Sequence, residues 1–235
     1  MKHLVLICFG LILSLMGGCS KSLKVHMLSG SKEYNSAESL ALWSEHLENR
    51  YGIESSFTWS EDKAKTVTNL EALKDADVLV VFCRRWELEG EQAQAIIDWC
   101  ESGKPVLAIR TASHAFQFYK EFDSKILGGN YSGHGPAEDE VSIQIVDENS
   151  SDPLLEGLAP WQRPGKVYRN PEIAQDCQVL LRAQSPLEDQ AVAWKRVNGE
   201  QRVFYTSLGL PDDFQNPKFV GLLDRALHWV AEARP

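Results

Sequence analysis

Two short apolar runs that stop dead in arginine constrain this chain more than anything else in it. The first is Asp77-Val78-Leu79-Val80-Val81-Phe82-Cys83, followed at once by Arg84-Arg85-Trp86. The second is Pro105-Val106-Leu107-Ala108-Ile109, followed by Arg110-Thr111-Ala112-Ser113-His114. Unbroken β-branched and apolar runs of this length suit strands covered on both faces rather than half-exposed ones. Pro105 opens such a strand without breaking it. In open α/β sheets ligands bind beyond the carboxyl ends of the strands, which is where the arginines, Ser113 and His114 fall. Thr and Ser there also suit a helix cap, and a helix is expected to start in that turn. Arg and His are poor caps, and this favours a site.

The rest of the chain supplies partners for those strands. Lys24 to Ser29 reads as a first strand; Ser36 then caps a helix with Leu40, Leu42, Trp43 and Leu47 at helical spacing, closed by Gly52. Ser55 to Trp59 reads as an edge strand, Leu70 to Lys74 as a brief helical connection, and Glu87 to Glu101 as an amphipathic helix. This alternation predicts an α/β fold, an open and mostly parallel sheet with helices on both faces. Beyond it lie a short amphipathic piece, Phe118 to Leu127, and a Gly-rich loop, Asn130 to Pro136, that carries His134. A strand is expected at Val141 to Val146, a helical stub near Pro153, and a loop through Trp161, Arg163 and Tyr168. A C-terminal β-rich part follows, with strands at Gln178 to Ala183, Gln190 to Val197 and Arg202 to Leu208. Asn198-Gly199 marks a hairpin between the last two. Phe219 to Ala231 closes the chain as a helix.

A hydrophobic content of 43% over 235 residues supports a packed core, and a formal charge of −9 argues against nucleic acid as a partner. The first residues read separately. Met1-Lys2-His3 and the apolar run Leu4 to Met16 have signal-peptide length, too short to span a bilayer. Leu15-Met16-Gly17-Gly18-Cys19 resembles the lipobox of bacterial lipoproteins. That resemblance implies a signal over 1–18, lipidation at Cys19 and a single mature domain over 19–235. The protein would then be lipid-anchored in the cell envelope of a bacterium, and Ser20 leans towards the outer membrane. Secretion after cleavage near Gly18 is the alternative. Cys83, Cys100 and Cys177 read as buried thiols, a Cys83–Cys100 disulfide being the alternative.

Several stretches, in order, resemble the ThuA-like (trehalose-utilisation) family of the class I glutamine-amidotransferase-like superfamily. They are Phe82 to Arg85, Gly103 to Phe116, Ile126 to Gly129 with Gly133-His134, Asp152 to Leu154 with Gly157-Leu158, Ala193-Trp194, Arg202 to Gly209, and His228-Trp229. The resemblance implies a flavodoxin-like fold and a role in carbohydrate metabolism of the trehalose or keto-sugar type. True amidotransferases carry a Cys nucleophile at the elbow after the central strand; here that position is Arg110. A guanidinium is no nucleophile, so amidotransferase activity is excluded.

What remains is a polar pocket of Arg84, Arg85, Arg110 and Ser113 with His114, and across the cleft His134 and Tyr168. Such donors beside an aromatic platform suit a sugar-derived small molecule. His114 is the first choice for general acid–base work and His134 the second, as in a sugar isomerase or hydrolase. A non-catalytic binding or scaffold protein on a degenerate amidotransferase-like fold is the alternative. A Ser113 hydrolase ranks below both, since His114, its chain neighbour, is expected to point elsewhere. No cofactor is predicted. A divalent metal at His134, Glu138 or Asp139 is a minor alternative without supporting spacing.

Overall fold

A computed structural model describes residues 22–232, so the expected signal segment and Cys19 lie outside the described residues. The strands are β1 (Lys24–Gly30), β2 (Glu54–Trp59), β3 (Val78–Cys83), β4 (Val106–Ile109), β5 (His134–Ile145), β6 (Trp161–Tyr168), β7 (Cys177–Gln184), β8 (Asp189–Asn198) and β9 (Gln201–Thr206). The α-helices are α1 (Ser36–Tyr51), α2 (Gly90–Glu101) and α3 (Pro217–Ala231). All nine strands form one sheet in the order β2-β1-β3-β4-β9-β8-β7-β5-β6.

The two apolar runs are its middle. Every residue of β3 and β4 is buried, and the period of two splits β3 between two cores. Val78, Val80 and Phe82 meet Leu40, Trp43, Leu47, Leu222 and Leu227 of α1 and α3 on one face. Leu79, Val81 and Cys83 meet Ala93, Ile96, Trp99 and Cys100 of α2 on the other. Helices thus cover both faces of the sheet's parallel half. Cys83 and Cys100 are buried free thiols and Cys177 is a half-buried one, so the disulfide alternative falls. No helix among the described residues is long and apolar enough to cross a membrane.

The expectation of a mostly parallel sheet is corrected. The pairings among β2, β1, β3, β4 and β9 are parallel, but the four that link β9, β8, β7, β5 and β6 are antiparallel. The connections explain this. Parallel neighbours need a crossover of a dozen residues or more, and α1 and α2 with their flanking loops supply that in the first half. Later, Asn198 pairs with Gln201 across a two-residue turn that Gly199 enters at φ +62°, and β7 reaches β8 in four residues. Such short turns enforce reversal. The β-rich part is therefore no separate appendage, because β9 pairs with β4 and continues the same sheet.

Three local expectations also change. No α-helix follows β4; Arg110–His114 is a single 3-10 turn. The backbone beyond it is taken by the segment after β3: the Trp86 N–H donates to the Ala115 carbonyl at 2.7 Å and the Gln117 N–H to that of Trp86 at 2.8 Å. The stretch through Trp161, Arg163 and Tyr168 is strand β6 rather than a loop, and its edge position tolerates Pro164. Strand β5 begins at His134, within the Gly-rich segment, and absorbs register shifts between His134 and Ala137 and between Glu138 and Val141.

Gly30 ends β1 under the fully buried Trp86, whose Nε1 donates to the Glu61 carbonyl at 3.0 Å. A Cβ on Gly30 would sit 2.4 Å from that nitrogen. Gly30→Ala is therefore expected to cost about 1–3 kcal/mol of stability through overpacking, read as a lower urea midpoint. An unchanged midpoint would show that Trp86 moves aside without penalty.

Candidate functional site

Strand order makes a crevice before any side chain is considered. β2 lies on one side of β1 and β3 on the other, so the loops leaving the carboxyl ends of β1 and β3 diverge. Tyr34 stands in the 3-10 turn after β1, Arg84 and Arg85 follow β3, and Arg110 to His114 follow β4. The antiparallel half contributes Tyr131, His134 and Tyr168. His134 pairs with Tyr168 across β5 and β6, and the Tyr131 and Tyr168 rings lie 4.8 Å apart.

Arg110 forms the floor. It occupies the elbow in a left-handed conformation, φ +48°, and is only 1% exposed. Its guanidinium lies 4.1 Å from the ring centre of Tyr34 and 4.9 Å from that of Tyr168. Nη1 donates to the Ser207 carbonyl at 2.8 Å, while the enclosed Nε finds no acceptor. The sequence placed Arg110 at the centre of the site; the structure puts it beneath the centre, behind two rings. Arg84 is held at one wall by Asp62 at 2.8 Å and Glu33 at 3.5 Å. Arg85 is exposed and also left-handed, φ +53°, with its N–H donating to the His114 carbonyl at 2.9 Å.

His114 packs face to face on Tyr131, ring centres 4.6 Å apart and planes within 18°. That stacking turns Nδ1 back to the Ser113 hydroxyl at 3.1 Å, so the expectation that these neighbours point apart is corrected. Ser113 Oγ also lies 3.5 Å from the Arg110 carbonyl. The shorter contact favours donation from Ser113 to Nδ1, which leaves the proton on Nε2. Burial, and then the charges of Arg84, Arg85 and Arg110, push the imidazole down to about 3. At neutral pH the ring is uncharged: a hydrogen-bond donor, without the pKa near 7 that acid–base catalysis favours.

His134 stands exposed at the rim, its Nδ1 2.8 Å from the Gly135 carbonyl and its ring 6.3 Å from that of Tyr168. Glu138 accepts from the Ser185 hydroxyl at 2.7 Å, and Asp139's side chain is outside those described. Among the described residues no three His, Cys, Asp or Glu side chains converge as a metal cage would. A groove of about 540 Å³, between the Leu70–Asp75 turn and α2, shares no residue with the crevice.

Sequence reading missed Tyr34, Tyr131 and Asp123. The two tyrosines sit in loops running into or out of strand ends, a signal that could have marked them. Asp123 gave none. Its Oδ2 accepts the Tyr131 N–H at 2.8 Å, and its buried Oδ1 has no partner. Burial outweighs that one hydrogen bond and raises the carboxyl to about 6.

A family profile described as "ThuA: Trehalose utilisation" matches residues 24–230. Among solved structures, a ThuA-like protein of Bacteroides uniformis is 20% identical with a TM-score of 0.71, over 92% of this chain and 94% of that one. A ThuA-like protein of Parabacteroides merdae is 18% identical, TM-score 0.69, over 91% of each chain. A β-galactosidase of Rahnella sp. R3 is similar at 12% identity and TM-score 0.59 over 90% of this chain but only 32% of its own. At these identities the likeness is one of fold. Among curated proteins nothing matched.

Asp123 generates a pH prediction. A carboxyl raised from 3.8 to about 6 in the folded protein binds protons more tightly there than in the unfolded chain. Its contribution to stability therefore falls as pH rises from about 4 to 6. Asp123→Asn keeps an acceptor for Tyr131 and removes the titration. Relative to the parent, the variant is expected to gain on the order of 2 kcal/mol between pH 4 and 7, by chemical denaturation at each pH. A constant difference would place the Asp123 pKa near 4.

Proposed function

Because the chain belongs to the ThuA, or trehalose-utilisation, family, we propose that it binds a sugar-derived small molecule in the crevice at the carboxyl ends of β1, β3 and β4. The family ties it to carbohydrate utilisation. The observation that carries the placement is the neutral His114 stacked on Tyr131 above Arg110. Nε2–H of His114 and the Arg85 fork present donors to ligand oxygens, while Tyr131 offers an apolar face. Sugars have many acceptor oxygens and apolar C–H faces, so they fit both. His134 lies at the rim, where it would meet the outer part of the ligand, and Tyr168 backs the floor. The N-terminal sequence supports a lipid-anchored position in a bacterial envelope, and the reading requires no cofactor.

One observation favours a catalytic version. A neutral imidazole donor beside fixed cations polarises a carbonyl, as isomerisation of a keto-sugar needs. The proton acceptor would then need a pKa near neutrality. Asp123, at about 6, is the carboxyl behind Tyr131, one step removed from the crevice.

A thermal-shift panel of neutral sugars, keto-sugars and sugar acids tests the binding claim. A ligand at a hundredfold its Kd adds about 2.7 kcal/mol, or roughly 5–10 °C for a chain of this size. Tyr131→Leu should weaken the best ligand about tenfold, as loss of one aromatic stacking contact does. Silence across the whole panel would overturn the assignment. Binding untouched by Tyr131→Leu would move it to another surface.

A further inference from the structure

The charges around the crevice do not balance. Arg84 is paired with Asp62, and Lys166 lies 3.8 Å from Glu33. Nearby Arg163 is paired with Asp213 at 3.0 Å. Arg85 and Arg110 remain. Neither has a carboxylate within ion-pair distance among the described residues, although acidic residues outnumber basic ones 33 to 24 in the sequence. Arg110 makes this costly, because a guanidinium that is 1% exposed has lost its hydration and regained one carbonyl and two aromatic faces. An enclosed cation in the floor and an unpaired one at the rim, with uncharged rings beside them, leave a place for one negative charge.

We infer that the ligand of this site is a carboxylate-bearing sugar derivative, a sugar acid rather than a neutral sugar, oriented by Arg85 over the Tyr34–Arg110–Tyr168 floor. This rests on the proposed sugar-binding role and adds its charge. Charge selects carboxylate over phosphate, since a phosphate ester carries nearly two negative charges at neutral pH and the rim offers one unpaired cation. The rings of Tyr131, His114 and Tyr168 pack with centres 4.6–6.0 Å apart beside it, and a single exposed guanidinium fork can hold both oxygens of one carboxylate. The low dielectric around Arg110 lets it act on that charge without touching it.

The test is calorimetric titration of the purified protein with hexoses and disaccharides, each beside its uronic or aldonic acid and its phosphate ester, plus acetate. The acid is expected to bind at least tenfold more tightly than its neutral parent. Its affinity should fall between 50 and 300 mM NaCl, and Arg85→Gln should weaken the acid at least tenfold more than it weakens the neutral sugar, so that the preference disappears. Arg85 is exposed, so this variant should fold. Neutral sugar binding as well as its acid would overturn the inference and leave the sugar site standing. A phosphate ester binding tightest would overturn the choice of carboxylate. Acetate binding as well as any sugar acid would overturn the sugar site and keep only an anion site. No binding at all would overturn both.

Discussion

The structure depends on a guanidinium held between two phenol rings. Arg110 stacks between Tyr34 and Tyr168 and donates to Ser207. Those four residues come from the loop after β1, the turn after β4, the end of β6 and the segment after β9. One side chain thereby joins the parallel half of the sheet to the antiparallel half. Each cation–π contact contributes about 0.5–2 kcal/mol when desolvated, against a left-handed residue that costs on the order of 1–3 kcal/mol. The Arg110 carbonyl is fixed as well, accepting the Tyr205 hydroxyl at 3.0 Å. The elbow after β4 is thus an electrostatic and packing centre.

From that centre the character of the crevice follows. Burial, and then the charges of Arg84, Arg85 and Arg110, keep His114 from taking a proton near neutrality, so it serves as an oriented donor. The network behind it is polar and mostly enclosed: Ser113 on Nδ1, Tyr205 on the Arg110 carbonyl, Asp123 on the Tyr131 N–H. These contacts hold ring positions. Donors, a positive potential and an aromatic face together favour an oxygen-rich ligand over an apolar one.

The parts of this arrangement legible in the sequence were those fixed by local burial. β3 and β4 announced themselves because residues covered on both faces must all be apolar, and the arginines that end them mark the crevice. Asn198-Gly199 carried its turn chemistry openly. β6 did not, since an edge strand tolerates Pro164 and alternates polar residues, and so resembles a loop. The helix expected after Ile109 failed because Trp86, distant in sequence, claimed the backbone of residues 115–117. Arg84, Arg85, Ser113 and His114 follow the ends of β3 and β4, with His134 and Tyr168 on β5 and β6, but the neutral state of His114 was not legible. A lone histidine suggests acid–base work until its burial and the cations around it are seen, and Tyr34 and Tyr131 become site residues only through ring contacts with Arg110 and His114 that spacing does not encode.

The measurement closest to the central claim is the protonation of His114, followed by nitrogen-15 NMR of its imidazole from pH 7 to 4. The account predicts a neutral ring with the proton on Nε2 throughout, because the folded-state pKa lies at about 3. A titration centred near the ordinary 6.5 would contradict it. His114 would then be neither desolvated nor held neutral by the arginines around it, and it would return as an acid–base residue.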